Sequence, residues 1–320
     1  MAAFTTVLAF DLGASTGRAI RAVYDGERLE CKEIHRFENI PAVKDGHLRW
    51  DMEALLGEIR IAIQKAGKTD SFAFDTWGVD FGLLDADGKL LEDPVHYRDE
   101  RTKDWPRRVA QKIALPGLYA RTGNQILEIN TLFQVLALQK EQPDLLRRAK
   151  HLLFIPDLLA AMLGAELTWE RSIASTSQMW NPVTGTWDLE LLEQLEIDPG
   201  LFGTMTDSGS ITGALPDGTK IIAVAGHDTQ CAVAAMPVTE GECAAFLSCG
   251  TWSLIGCELE TPILTKESCN KGLSNEYGAN GRINYLKNII GLWLIQESRR
   301  EYARQEKEYS FGQLAELADG

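Results

Sequence analysis

Positive charge is scarce in this sequence: 32 Lys and Arg stand against 46 Asp and Glu, a net charge of −14 over 320 residues. A surface of that sign repels polyanions, which argues against nucleic acid or an anionic membrane as partner. Any phosphate the protein handles must be met locally, by backbone amides or a metal ion. The opening MAAFTTVLAF has no Lys or Arg and runs into Asp11, so neither a secretory signal nor a membrane span is expected. The most apolar later stretch, 152–163, is broken by Pro156 and Asp157. Six cysteines (31, 231, 243, 249, 257 and 269) form no CxxC and no metal-finger spacing, and reduced thiols in a cytoplasmic protein are expected. The 28 glycines include no Gly-x-Gly, which removes the dinucleotide-binding fingerprint and the protein-kinase glycine loop. AIQKAGKT at 62–69 ends like a Walker loop but lacks its first glycine and closes a helical pattern, so it reads as a helix C-cap and turn. No tandem repeat is present.

What is present, 45% hydrophobic and 24% charged residues, describes a globular chain. TVLAFDLG, GRAIRAVYD and RLECKEIHRFE read as a three-stranded meander, and 51–66 (DMEALLGEIRIAIQKA) as an amphipathic helix opened by an Asp. SFAFDTWGVDFGLLD returns to strand with a break near Trp77 and Gly78. This order predicts an α/β domain with a mixed sheet. From 102 to 164, helical patterns punctuated by Pro106, Pro116, Pro143 and Pro156 predict a helical cap. Residues 168–188 read as strand and loop. KIIAVA at 220–225 is a buried strand stopping at Gly226, with a helix after it. A second hairpin is expected over 244–259 and a long amphipathic helix over 289–304.

Three segments carry chemistry. AFDLGASTGR (9–18) delivers Asp11 into a glycine turn followed by Ser15, Thr16, Gly17 and Arg18, offering a carboxylate for hydrated Mg²⁺ and amides and hydroxyls for phosphate. A tight hairpin whose Asp caps its own turn is the plain alternative. In Gly226-His227-Asp228-Thr229, an Asp at the carboxyl end of a sheet strand is placed to accept a proton from a sugar hydroxyl, or simply to cap the helix. His227 beside it suits sugar hydroxyls, or packs as a neutral ring. In FDTWGVDF (74–81), Asp75 and Asp80 resemble the paired carboxylates of carbohydrate sites, with Gly78 allowing close approach; core packing of Phe74, Trp77 and Phe81 is the competing reading.

In this order the segments resemble the FGGY family of carbohydrate kinases, within the sugar kinase, Hsp70 and actin superfamily. AFDLGASTGR is similar to the first phosphate motif, FLSCGTWS to the second, and AVAGHDTQ to the strand bearing the catalytic Asp. FDTWGVDFGLLD, HYRDERT, GTWSLIG and LKNIIGLWLIQESRR are similar to the family's L-rhamnulose kinases. The resemblance implies an α/β, ribonuclease H-like (actin-like ATPase) fold with a mixed five-stranded sheet and helical insertions. It implies a sugar-binding domain at 1–238 and the start of a nucleotide-binding domain at 239–320.

The implied roles follow the motifs. Ala14, Ser15, Thr16, Gly17, Arg18, Thr251 and Gln296 would contact ATP, and Gly78, His227, Asp228, Thr229 and Asn288 the sugar. Asp228 would be the proton acceptor and Asp11 would hold Mg²⁺ through water. Asn288 and Gln296, eight residues apart, would share one helix face if both are helical. The implied reaction is ATP-dependent phosphorylation of L-rhamnulose at O1, in L-rhamnose catabolism. Because AGHDTQ is also similar to the L-fuculose kinases, a related ketose stays open. SNEYGANGR departs from the family by placing Tyr277 where one of two adjacent glycines is expected. The family's adenosine-binding segment follows the region 289–304, and none is read here, so a catalytically silent sugar-binding fragment is the alternative of another class. An actin-like structural protein would fit the two hairpins but not the FDTWGVDF and GHDT segments. Nothing in the sequence sets the oligomeric state.

Overall fold

The computed structural model of the chain describes residues 4–239, 244–250 and 252–319. The meander is present: β1 (Thr5–Leu12), β2 (Thr16–Tyr24) and β3 (Leu29–Glu38) pair antiparallel in succession, with Leu12 opposite Gly17 at the first turn. Along β1 the side chains alternate, and Leu8, Phe10 and Leu12 are buried. Phe10 meets Phe74 at 4.9 Å and Phe72 edge-on at 6.3 Å. Burying one such ring contributes about 2–3 kcal/mol.

The helix Met52–Ala66 forms because Asp51 caps it, accepting from the Ala54 amide at 2.9 Å, while Met52, Leu55, Leu56, Ile59 and Ala62 put one apolar stripe against the sheet. Gly67, at φ 66°, ends it, which confirms the turn reading of AIQKAGKT. The chain then enters β4 (Ser71–Thr76), parallel to β1 with Asp75 opposite Asp11. After the helical layer, β5 (Ser210–Ala214) and β6 (Lys220–Ala223) complete the sheet, β6 parallel to β4. The order is β5-β6-β4-β1-β2-β3, six strands and not the expected five. The added strand is β5, an antiparallel edge.

The cap has helices at Trp105–Val109, Leu115–Thr122, Thr131–Glu141, Pro143–Arg148 and Ile155–Met162. Within 168–188 the structure has short strands and two helical turns rather than strand and loop alone. A second sheet, ordered β7-β8-β10-β9, comprises β7 (Ala245–Cys249), β8 (Trp252–Leu259), β9 (Ser274–Tyr277) and β10 (Ile283–Ile290). Its own small core is Val233, Phe246, Leu254 and Leu286.

The expected helix over 289–304 is corrected. Ile289 and Ile290 belong to β10, and the helix runs Trp293–Arg304. Gly291 separates them: a Cβ there would come within 2.7 Å of the Gly250 carbonyl oxygen, and the Leu292 amide donates to that same oxygen at 2.9 Å.

Candidate active site

The carboxyl ends of β1, β4 and β6 lie side by side, and ligands in open α/β sheets bind at such ends. The line of β6 continues past Ala223, since the Thr76 amide donates to the Gly226 carbonyl at 2.8 Å and Thr76 bridges His227. Asp11, Asp75 and Asp228 are therefore delivered by three neighbouring strands. Above them opens a cleft of about 1390 Å³ between the first sheet, the cap and the second sheet.

One wall is the first glycine turn. The Gly13 amide donates to Thr16 O at 2.9 Å, while Asn39 donates to Ser15 O through its backbone (2.9 Å) and to Gly13 O through Nδ2 (3.0 Å). With those carbonyls engaged, no bond among the described residues claims the amides of Ala14 and Ser15, the arrangement an anion needs. Ala14, Ser15, Thr16 and Arg18 line the cleft. Gly17 does not; an added Cβ would collide with the Phe37 ring, so its missing side chain serves packing. Asp11 does not cap its own turn. Its Oδ2 accepts from Arg18 Nε at 2.8 Å across the hairpin.

The floor holds the GHDT segment. Asp228 is the first residue of the helix Asp228–Ala234 rather than its N-cap, which is His227. Asp228 Oδ1 accepts from the Thr229 amide (2.6 Å) and hydroxyl (3.2 Å), while 41% of the side chain stays open to the cleft. Burial pushes its pKa up, the His227 charge and the Thr229 bonds pull it down, and Asp11 adds to the rise. His227 is enclosed: Nε2 lies 3.5 Å from Asp228 Oδ1, and Nδ1 lies 3.0 Å from Glu276 Oε2. Burial opposes its charge, but Glu276, Asp228 and Asp75 together raise it to about 9. Asp75, buried, is pushed well above the ordinary carboxylate range by desolvation and then by the charges of Asp11 and Asp228.

Gly78 lines the cleft opposite His227; a Cβ there would sit 3.4 Å from His227 Nε2 and from Thr176. Asp80 does not join it. Its Oδ2 accepts from Trp50 Nε1 (2.7 Å), Trp77 Nε1 (3.0 Å) and the Tyr97 amide (3.1 Å), and its Oδ1 from Gln134 Nε2 (3.0 Å). Almost wholly buried, with its pKa raised by burial to about 6, Asp80 anchors the aromatic wall instead of pairing with Asp75 on a ligand. Phe74, Trp77 and Phe81 all pack in the core, as the competing reading has it, and Trp77, with Tyr97, also borders the cleft.

The opposite wall comes from the second sheet. Asn288 and Gln296 both line the cleft, but from β10 and from the helix Trp293–Arg304 respectively, so they do not share a helix face. The Asn288 amide donates to Gln125 Oε1 at 3.3 Å. At the second glycine turn the Gly250 amide donates to Trp252 O at 2.8 Å; Thr251 lies outside the described residues. Arg98 links the walls, its guanidinium 5.2 Å from the Tyr97 ring, 5.6 Å from Trp252 and 5.5 Å from Trp293.

Glu276, Gln125 and Arg98 enter this site without having been singled out in the sequence. Glu276 and Arg98 sit in SNEYGANGR and HYRDERT, but a lone Glu or Arg in a short polar segment has no pattern that marks it. Among the described residues no group of three or more His, Cys, Asp or Glu side chains is arranged to hold a metal. A hydrated Mg²⁺ sharing phosphate oxygens needs only one or two carboxylates. Asp11 fits that requirement, because its charge adds to the raised proton affinity of the neighbouring Asp75 and Asp228 and a cation there would relieve that repulsion.

Residues 6–236 match the N-terminal domain of the FGGY family of carbohydrate kinases, and 245–319 match the family's C-terminal domain. Rhamnulokinase from Klebsiella pneumoniae (strain 342) is 42% identical over 304 residues, covering 92% of this chain and 62% of that protein. Rhamnulokinase from Enterococcus faecalis (strain ATCC 700802 / V583) is 40% identical over 329 residues, covering 98% of this chain and 65% of its own length. The chain thus spans somewhat under two thirds of the curated relatives it matches. A gluconate kinase from Lactobacillus acidophilus shares the fold at TM-score 0.77 and 18% identity, over 93% of this chain and 62% of its own. Glycerol kinase from Plasmodium falciparum, solved with ADP, does so at TM-score 0.73 and 17% identity, over 92% and 64%. No described helix is long and apolar enough to cross a membrane.

Proposed function

The chain belongs to the FGGY family of carbohydrate kinases, and on that premise we propose that it serves the ATP-dependent phosphorylation of a ketose, L-rhamnulose, at O1. The observation that carries the reading is Asp228. It lies at the carboxyl end of a central strand, open to the cleft, with His227 and Gly78 beside it and a glycine turn with unclaimed amides on the same sheet. The names of the relatives at 40–42% identity supply the substrate.

In this reading the sugar lies against Gly78, His227, Thr229 and Asn288. Asp228 takes the proton of the O1 hydroxyl as the O1–phosphorus bond forms and the bond from the γ-phosphorus to ADP breaks. The amides of Ala14 and Ser15, the Thr16 hydroxyl and Arg18 meet the phosphates, with Thr251 and Gln296 contributing to the nucleotide side. Asp11 would hold Mg²⁺ through water, which when bound neutralises charge on the β and γ phosphates. Such a carboxylate and turn need no basic surface, consistent with the net charge of −14. The division into a sugar-binding unit at 1–238 and a nucleotide-binding unit from 239, and a cytoplasmic setting, belong to the same proposal.

The test is ADP formation with MgATP across a panel of ketoses. L-Rhamnulose should give the highest kcat/KM and yield the 1-phosphate. A preference of about tenfold or more for L-fuculose, a margin of roughly 1.4 kcal/mol in transition-state binding, would replace the substrate assigned here.

A further inference from the structure

Glu276 belongs to β9 in the second sheet, yet its carboxylate reaches the floor of the first. Its side chain is 5% exposed, and Oε2 accepts from Gln230 Nε2 at 2.8 Å as well as facing His227 Nδ1 at 3.0 Å. Gln230 is itself oriented by Asn284, whose Nδ2 donates to Gln230 Oε1. The strand that carries Glu276 is fastened on both sides of that residue, to the loop after the helix Leu115–Thr122 and to Ser175. The Gln125 amide donates to Ser274 Oγ, the Asn275 amide to Gly123 O, and the Tyr277 amide to Ser175 Oγ, each at 2.9 Å.

Glu276 Oε2 already serves as an acceptor for Gln230 Nε2, and it meets His227 Nδ1 in the same role, so that nitrogen carries the proton. Nδ1 of His227 is thereby fixed as N–H, and Nε2 is the atom left facing Asp228 and the cleft beside Gly78. We propose that Glu276 is a positioning residue for the transfer: it holds the His227 ring and its Nδ1 proton so that Nε2 keeps Asp228 and a sugar hydroxyl in register. This rests on the kinase reading above. The charged groups around the ring are Glu276 from β9, Asp228 from its own helix and Asp75 from β4, with Asp11 and its partner Arg18 beyond them. Since Glu276 comes from the second sheet, the ring is correctly set only when that sheet is docked.

The experiment compares the wild-type chain with Glu276→Gln and, as a structural control, Gln230→Met. It reads kcat and KM for ketose and for ATP, and the ¹⁵N signals of the His227 ring. The wild type should show a protonated, hydrogen-bonded Nδ1. E276Q should lower kcat roughly 10- to 100-fold, the range in which carboxylates that orient functional imidazoles act, with KM for ATP unchanged and the His227 signals shifted. Q230M should leave Nδ1 protonated. A wild-type His227 with bare Nδ1 overturns the proposal even if E276Q does not fold, and so does an E276Q enzyme that matches the wild type in kcat and ring signals. A wild type with no ketose-dependent ADP formation sinks the kinase reading and the catalytic role with it, while the ring signals still report whether Glu276 holds His227.

Discussion

Asp157 should be a destabilising charge at alkaline pH, and replacing it with Asn should make the protein more stable there. The residue sits in the first turn of the helix Ile155–Met162 and is 3% exposed. Its Oδ1 accepts from Thr168 Oγ1 at 2.9 Å and its Oδ2 from the Glu170 amide at 3.2 Å. The neighbouring Glu170 carboxylate receives four bonds, from Ser172 Oγ, the Ile173 amide, the Gly226 amide and Ser208 Oγ. Burial first, and then the Glu170 charge, push the Asp157 pKa from 3.8 up to about 8. Between those values the folded protein holds a proton that the unfolded chain has released, so Asp157 makes stability fall as pH rises toward 8. A shift of that size corresponds to at most about 6 kcal/mol at 1.36 kcal/mol per unit. Relaxation and water entry around the ionised group should return part of it, leaving a measured difference on the order of 2–4 kcal/mol.

In Asp157→Asn the side-chain amide can donate to Thr168 Oγ1 while the oxygen accepts from Glu170, so the packing survives without the charge. Urea unfolding at pH 5, 7 and 9 provides the assay. The variant's advantage over the wild type should be small at pH 5, grow steeply toward pH 8 and level off by pH 9. A D157N protein less stable than wild type at pH 9, or a difference that does not grow with pH, would refute the reasoning.

Two substitutions probe the walls of the cleft. Gly17→Ala forces a Cβ into the Phe37 ring and should cost about 1–3 kcal/mol in urea melts, while sugar affinity stays within about twofold; unchanged stability would show that the ring moves freely. Asp80→Ala leaves two indole N–H groups and the Tyr97 amide without their acceptor, while Gln134 Nε2 keeps the Ile129 and Val79 carbonyls, and should cost about 3 kcal/mol or more; a cost under about 1 kcal/mol would contradict the anchoring role.

Much of this architecture is legible in the residues. The meander shows through the alternation of β1 and β2, the first helix through Asp51 and its apolar stripe, and the central strand through the apolar run that stops at Gly226. Motif residues from both ends of the chain do line one cleft, with Gly17 turned to Phe37 and Thr251 outside the described residues. Other features depend on neighbours that spacing does not reveal. Asn288 looks helical because Ile289, Ile290, Leu292 and Leu294 form one apolar series, yet the close approach of Gly250 to Gly291 ends the strand and starts the helix afresh. Asp75 and Asp80 look equivalent five residues apart, but four donors close around Asp80 and none of those described bonds reaches Asp75. Strand β5 is short, bulged and on an edge, so its pattern is too weak to read.

The most direct test of the account is Asp228→Asn, assayed for ketose-dependent ADP formation alongside ketose binding by calorimetry. The amide keeps the shape and the Thr229 contacts but cannot take the proton, and a general base is typically worth about 10²- to 10⁴-fold. The account predicts ketose affinity within a few-fold of wild type and a rate reduced by at least about 100-fold. A variant that retains more than about a tenth of the wild-type rate would contradict it.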